Sequence, residues 1–349
     1  MDNPLVFDHY IAGVNLGGWL SQYQHYDDTH FKSFITEEDI QRIAGWGMDH
    51  VRLPVDYPVL ESDNQPFTYL ESGLGYLDQC LSWCKKAGLS LIIDLHRAPG
   101  YTFTNLSAST LFSDPLQQER FLSLWVELSR RYKSEGDHLI FELLNEIVLP
   151  GSLPWNHLAR RAIHAIRSVD LQRTIILGGN HYNSIAGLSE LELINDPHLV
   201  YTFHFYEPMV VTHQNAPWVP SLEAFGQAVD YPGSCPNLKE FVQIHPEFES
   251  FLHAYVDTTL DRDYLRRLLT PALEFRQHAG KPLYCGEYGV IDRAPASARL
   301  NWHRDFIDLL REYHIARACW SYKAMDFGLV DLSGNVVDSQ IVQIVSTKE

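Results

Sequence analysis

The sequence predicts a single (β/α)8 barrel of the TIM type, interrupted by one long insertion after the sixth strand. Three observations carry that prediction. Short β-rich apolar runs recur eight times, stretches of helical period lie between them, and no glycine-rich dinucleotide or phosphate fingerprint argues for an open, doubly wound sheet. A length of 349 residues leaves room for an insertion beyond the roughly 250 residues such a barrel needs.

The first strand is expected over 11–16. A helix over 36–46 then starts at Thr36, with Asp39 three positions on to complete its first turn. A second strand follows at 50–55, and Gly88 stops the next helix ahead of a third strand at 89–95. Phe121, Leu124, Trp125, Leu128 and Tyr132 mark one apolar helix face, which requires a sheet to cover it, before a fourth strand at 139–144. Strands five and six are expected at 174–177 and 199–205. Gly280 ends the helix before a seventh strand at 282–285, and Trp302, Phe306, Leu309, Leu310 and Tyr313 form the helix face that precedes the eighth, at 315–320.

The segment 207–262 breaks this rhythm. Its length of about 56 residues far exceeds the usual two to six of such a loop, so it must carry structure of its own. Short helices are expected at 221–229 and 247–256. Because the segment leaves the C-terminal end of a strand, it is expected to form a cap over the active-site face, with Trp218 helping to close a cleft. No repeat, low-complexity tract or linker divides 1–349, which reads as one barrel working as a monomer.

The 44 acidic against 27 basic side chains, a formal charge of −17, argue against a nucleic-acid partner, which needs a basic face. No run approaches the roughly 18–20 apolar residues of a membrane span, and 1–10 lacks the basic start and apolar stretch of a secretory leader. The sequence is therefore read either as a cytoplasmic protein or as the mature part of a secreted one. The five cysteines are odd in number and scattered, which fits free thiols; Cys80 and Cys84, one helical turn apart, read as small core residues.

In a barrel of this kind reactive side chains project from the C-terminal strand ends. Those ends offer Asn15, Arg52, Asp94 and His96, Asn145 and Glu146, Asn180, His204 with Tyr206 and Glu207, Glu287 and Trp320. Two carboxylates from strands four and seven can flank one scissile bond, as glycoside hydrolysis requires. Arg52 would hold one of them ionised, His and Tyr would orient the pair, and Trp320 would offer an apolar plate to a sugar ring. A zinc site built from His96, His204, Asp94 and Glu146 is the rival. Its binuclear form lacks the His-x-His after strand one and the lysine at an inner strand end, so no metal and no cofactor is expected.

The residues at these positions resemble glycoside hydrolase family 5. Arg52 stands in Val-Arg-Leu-Pro, His96 in Asp-Leu-His-Arg-Ala-Pro-Gly, Asn145 and Glu146 in Glu-Leu-Leu-Asn-Glu, His204 and Tyr206 in Phe-His-Phe-Tyr, Glu287 in Cys-Gly-Glu-Tyr-Gly, and Trp320 in Ala-Cys-Trp-Ser-Tyr-Lys. Within the family the chain resembles the clostridial endoglucanase C type, sharing Asn-Leu-Gly-Gly-Trp, Ser-Thr-Leu-Phe and the long insertion. The resemblance implies a retaining endo-β-1,4-glucanase, acting on cellulose-type and mixed-linkage β-glucan, with Glu146 as acid/base and Glu287 as nucleophile. It further implies that Asn145 and His96 bind the sugar and that His204 orients Glu146. Lys323 and Asn15 are further candidates for sugar contacts. Asn15 to Trp19 also resembles members that cut β-1,3-glucans from chain ends, but Leu20-Ser21-Gln22-Tyr23 replaces the Glu-Pro that continues their motif. Mannanase activity, transglycosylation and a non-catalytic glucan-binding barrel are the other readings.

Overall fold

The computed structural model describes residues 5–348. Residues 1–4, part of the start read above for a leader, lie outside the described residues. Eight parallel strands, β1 (Ala12–Asn15), β2 (His50–Asp56), β3 (Ser90–Arg97), β4 (Leu139–Glu142), β5 (Ile175–Gly178), β6 (Leu199–Phe205), β7 (Leu283–Tyr288) and β8 (Ala316–Cys319), close into one barrel. Each overlaps one of the expected runs. The helices α1 (Glu37–Gly45), α2 (Glu71–Ala87), α3 (Pro115–Arg131), α4 (Leu153–Arg167), α5 (Ile185–Leu188), α6 (Arg262–Ala279), α7 (Ala296–Glu312) and α8 (Ser339–Ser346) follow the strands in turn. Among the described residues, no helix is long and apolar enough to cross a membrane.

Local chemistry sets the helix ends. The Thr36 backbone N–H donates to the Asp39 carboxylate at 3.0 Å, while α2 and α6 end at Gly88 and Gly280, both left-handed (φ 73° and 62°), where glycine carries no steric penalty. Inner helix faces pack on the barrel's outside. Phe306 and Trp302 of α7 stack on Phe205 of β6, with ring centroids 4.6 and 6.4 Å apart; each such buried aromatic is worth about 1.5–3 kcal/mol. Cys80 and Cys84 lie buried on the inner face of α2, and all five cysteines are free thiols.

Alternation along the strands divides the barrel interior into a floor and an upper layer. Ile92, Ile140, Ile176, Val200, Tyr284, Ala316 and Ala318, with Phe7 and Tyr10 from the segment before β1, form an apolar floor. Two residues further along β3, β4 and β6 the interior turns polar with Asp94, Glu142 and Thr202, joined by Asn15 of β1 and Arg52 of β2, all fully or nearly fully buried.

Two irregularities re-aim the upper layer. Pairing of β2 with β3 runs Val55 to Leu95 and then Asp56 to Arg97, leaving His96 as the extra residue. Pairing of β6 with β7 runs Phe203 to Cys285 and then His204 to Glu287, leaving Gly286 over. Without that bulge Glu287 would follow the alternation outward; with it, Glu287 turns in beside His204. A Cβ on Gly286 would stand 3.0 Å from Thr202 Oγ1 and 3.2 Å from His204 Nε2, so any larger residue here would crowd both side chains.

Several strand ends differ from expectation: β3 runs on to Arg97 rather than 95 and β7 to Tyr288 rather than 285, while β4 and β8 fall short. β4 stops at Glu142 rather than at 144, because the backbone turns to reach Glu146, a non-glycine residue in the left-handed region (φ 39°). β8 stops at Cys319, one residue before Trp320.

The segment after β6 holds short helices at Met209–Thr212, Pro220–Phe225, Leu238–Ile244 and Glu249–Leu252. The helix expected over 221–229 ends early at left-handed Gly226, and that over 247–256 shrinks to Glu249–Leu252 between two 3-10 turns. Leu238–Ile244 was not expected, since its seven residues are too few to show a period in an 11–18-residue window. Glu207 anchors the start of the segment: its carboxylate accepts from the Tyr255 hydroxyl at 2.7 Å and its carbonyl from the Trp302 indole at 3.0 Å.

Candidate active site

Arg52 is the hub of the upper layer. It projects from β2 into the barrel and has no exposed surface. Nε and Nη2 donate to the two oxygens of Glu142 at 2.7 and 2.9 Å, Nη2 also to Asn145 Oδ1 at 2.9 Å, and Nη1 to Glu287 Oε1 at 2.7 Å and Asn15 Oδ1 at 2.8 Å. Asp94 stands 3.1 Å away. Burial by itself would lower the proton affinity of the guanidinium, but Asp94, Glu142 and Glu287 outweigh it and hold Arg52 firmly charged.

Glu287 hangs from two donors, with Arg52 on Oε1 and the Tyr206 hydroxyl on Oε2 at 3.0 Å. Glu146 Oε1 lies 2.9 Å from His204 Nδ1. One carboxylate oxygen of Glu146, one of Glu287 and a ring nitrogen of His204 all lie within 4.8 Å of one another. Burial raises both carboxyls. For Glu146 the neighbouring Glu287 adds to the rise, whereas for Glu287 the charge on Arg52, the nearby His96 and the hydrogen bond from Tyr206 oppose it. Arg52 therefore does not hold Glu287 at an ordinary carboxylate value, but it does fix the order: the first proton goes to Glu146. Burial, followed by Arg52 and His96, pushes His204 well below its usual range, so its ring is neutral.

His96 faces the same space. Its Nδ1 is 2.7 Å from Asp94 Oδ2, the oxygen nearest Arg52. Burial pushes the ring down to about 4 and lifts Asp94 up to about 7, against the pull of Arg52. The Asp94 oxygen that faces the Arg52 guanidinium at 3.1 Å also takes the Nδ1–H, which leaves Nε2 as an acceptor. The His96 ring stacks parallel to Trp320 (centroids 5.8 Å, 9° apart) and meets the edge of Phe103. Asn145 keeps a buried Nδ2 with no protein partner, a donor free to meet an acceptor on a bound molecule or a water.

The structure brings Arg52, His96, Asn145, Glu146, His204, Tyr206, Glu287 and Trp320 to one end of the barrel, and corrects two other candidates. Lys323 does not point at a sugar: its ammonium donates to the Phe34 carbonyl at 2.9 Å, near Asp39, and lies over the Phe34 ring. Asn15 is fully buried, with Nδ2 on the Gly286 carbonyl at 2.9 Å and Oδ1 on Arg52. It props Arg52 rather than touching substrate. Trp218 is half exposed and sets its ring on His213, which packs against Tyr206.

Two residues of the constellation escaped the sequence reading. Glu142 carries the bidentate pair with Arg52, and Tyr101 accepts from the Val148 N–H while donating to the Glu146 carbonyl at 2.7 Å, strapping down the left-handed turn. Tyr101 lies 45 positions from Glu146 and carries no local signal. The hub itself gives a stability prediction. One ammonium cannot replace a fork that holds four side chains, so Arg52→Lys is expected to cost about 3–5 kcal/mol in urea unfolding; a loss below about 1 kcal/mol would show that the network does not support the fold.

Known proteins agree with this geometry. The model of one family, cellulase (glycosyl hydrolase family 5), matches residues 11–326. Endoglucanase C of Acetivibrio thermocellus is 47% identical over 338 residues, covering 97% of this chain and 98% of that protein. Cellodextrinase A of Ruminococcus flavefaciens is 35% identical over 311 residues, covering 88% of this chain and 84% of its own. Among solved structures, a mutant form of Thermotoga maritima Cel5A in complex with cellobiose superposes with a TM-score of 0.77 over 97% of each chain, and at 23% identity it shares the fold alone. A paired-carboxylate site at the mouth of a closed barrel and a full-length match to the family's members lead to one assignment: the chain belongs to glycoside hydrolase family 5.

Proposed function

We propose that the chain is an endo-acting hydrolase of β-1,4-glucans, including mixed-linkage β-glucan, working with retention of the anomeric configuration. The observation that carries the reading is the approach of Glu146 and Glu287 to within 4.8 Å. Oxygens this close favour the short spacing, about 5–5.5 Å between carboxyl groups, of enzymes that form a covalent intermediate, over the roughly 6.5–9.5 Å that leaves room for a water between them. The endoglucanase and cellodextrinase names of the relatives supply the substrate class.

In the first step the Glu287 carboxylate attacks the anomeric carbon as Glu146 gives its proton to the departing glycosidic oxygen. The products of that step are a glycosyl ester on Glu287 and a shortened chain with a free hydroxyl. In the second step Glu146, now ionised, takes a proton from water, whose oxygen attacks the same carbon from the face vacated by the leaving group and frees Glu287. The electrostatic order supports these roles, since Glu146 holds the first proton and Glu287 is the carboxylate paired with Arg52. His204, neutral, orients Glu146. The Asn145 amide meets the sugar 2-OH, His96 accepts from a neighbouring hydroxyl, and Trp320 lies along the ring face. The segment 207–262 acts as a cap, with Trp218 and His213 forming part of the cleft wall beside Tyr206.

Product analysis on carboxymethyl cellulose, mixed-linkage β-glucan, laminarin and mannan tests the substrate. Short cello-oligosaccharides are expected from the first two, with the β anomer appearing first by proton NMR. Glucose alone from laminarin, mannose oligomers, or an initial α anomer would overturn the assignment.

A further inference from the structure

The loop after β1 holds one side chain at a backbone angle that does not suit it. Gln22 has φ 56°, in the left-handed region where glycine and asparagine are at ease and a long side chain is not. The chain around it is fixed. Leu20 pairs with Val55 and takes the Asp56 N–H on its carbonyl, Ser21 is buried with its hydroxyl on Asp56 at 2.7 Å, and Tyr23 packs edge-on against Phe31. Strained positions of this kind persist where the surroundings enforce them, and they cluster where a side chain must be aimed.

The Gln22 amide is aimed at His96: Nε2 of each side chain lies 3.3 Å from the other. Since Asp94 takes the Nδ1–H of His96, the facing nitrogen is an acceptor and the amide is the donor. That contact uses one of the two amide hydrogens and leaves the amide oxygen free. Half-buried Gln22 therefore stands beside the ring that stacks on Trp320, with unused hydrogen-bonding groups. A ring acceptor and an amide that both donates and accepts, in contact with each other, form the complement of two neighbouring sugar hydroxyls.

We propose that Gln22 is a substrate-binding residue for the sugar on the non-leaving side of the scissile bond, where it takes the hydroxyl next to the one accepted by His96. In the empty cleft the amide satisfies the His96 nitrogen; on binding, a sugar hydroxyl takes that place and the amide turns to its neighbour. The inference rests on the reading of the cleft as a glucan site, so wild-type turnover of cello-oligosaccharides is measured first and tests that reading by itself.

Gln22→Gly then tests the proposal. Glycine removes the amide and relieves the left-handed angle, so the melting temperature is expected to hold or rise. The dissociation constant for cellobiose, by calorimetry, and KM on cello-oligosaccharides are both expected to rise about tenfold, the worth of one hydrogen bond, with a smaller change in kcat. Gln22→Asn, which tolerates the same backbone angle but carries a shorter amide, is expected to fall between the two. If KM and the cellobiose constant stay within twofold of wild type in Gln22→Gly, whatever happens to kcat, the amide only props His96 and the proposal is wrong. A fall of several degrees in melting temperature together with the loss of binding would overturn it equally, as a structural role.

Discussion

Replacing Glu287 by Gln is expected to lower kcat on every β-glucan substrate by at least about 10⁴-fold, because the variant cannot form the glycosyl ester through which both steps pass. The fold should survive. Arg52 Nη1 donates to Oε1 and the Tyr206 hydroxyl sits on Oε2; an amide oxygen can still accept from Arg52, and its NH2 can donate to the tyrosine oxygen. The checking measurement is a single-turnover assay beside a thermal melt. Loss of activity with a near-native melting temperature would place the defect in chemistry, while activity within tenfold of wild type would remove Glu287 from the mechanism. A smaller variant, Glu287→Gly, opens space on the same face. Azide supplied there should attack the anomeric carbon directly and give the α-glycosyl azide from a substrate with a good leaving group.

Glu146→Ala should separate the two steps by the quality of the leaving group. On a glucan, whose leaving alcohol needs a proton as the bond breaks, kcat/KM should fall by about 10²–10⁴-fold, the usual worth of a positioned general acid. On a dinitrophenyl cellobioside, whose leaving group departs without one, ester formation should remain fast and the ester should accumulate, because no base is left to activate water. Azide needs no base, so adding it should restore turnover and yield the β-glycosyl azide. An equal loss on both substrates would refute the assignment of Glu146 as acid.

The pH profile follows from the same pair. Glu287 works ionised, so activity falls as the pH drops through its raised value. Glu146 works protonated, so activity falls as the pH climbs through its own still higher one. In Glu146→Ala, assayed on the dinitrophenyl substrate, the alkaline limb alone should disappear.

How much of this was legible in the sequence depended on distance along the chain. The strands were readable because each is a short apolar run bounded by helical period, and Arg52, Glu146 and Glu287 stood out as charges at the ends of those runs. Glu142 was hidden in the same run as Glu146: nothing local distinguishes a glutamate inside the barrel from one outside it until the sheet sets β4 one strand away from β2. Tyr101 and Gln22 act through contacts 45 and 74 positions away, which no spacing rule reaches. Lys323 was a candidate by its place three residues past Trp320, but its ammonium is held by the Phe34 carbonyl, 289 positions away.

The bulge at Gly286 has a consequence for how such a site can arise and be lost. The group that stands at a position is one matter; the way β7 pairs with β6 decides which positions face the substrate at all. Tyr284 and Gly286 point into the barrel by alternation, and Glu287 joins them only because one residue is counted twice against β6. The same residues paired without the bulge would set Gly286 opposite His204 and turn the Glu287 carboxylate towards the helices, with both glutamates and Arg52 still in the chain. In this barrel the pairing frame of one strand against its neighbour is itself a functional parameter, and a substitution at Gly286 that abolished the bulge could misdirect the glutamate with every signature residue intact.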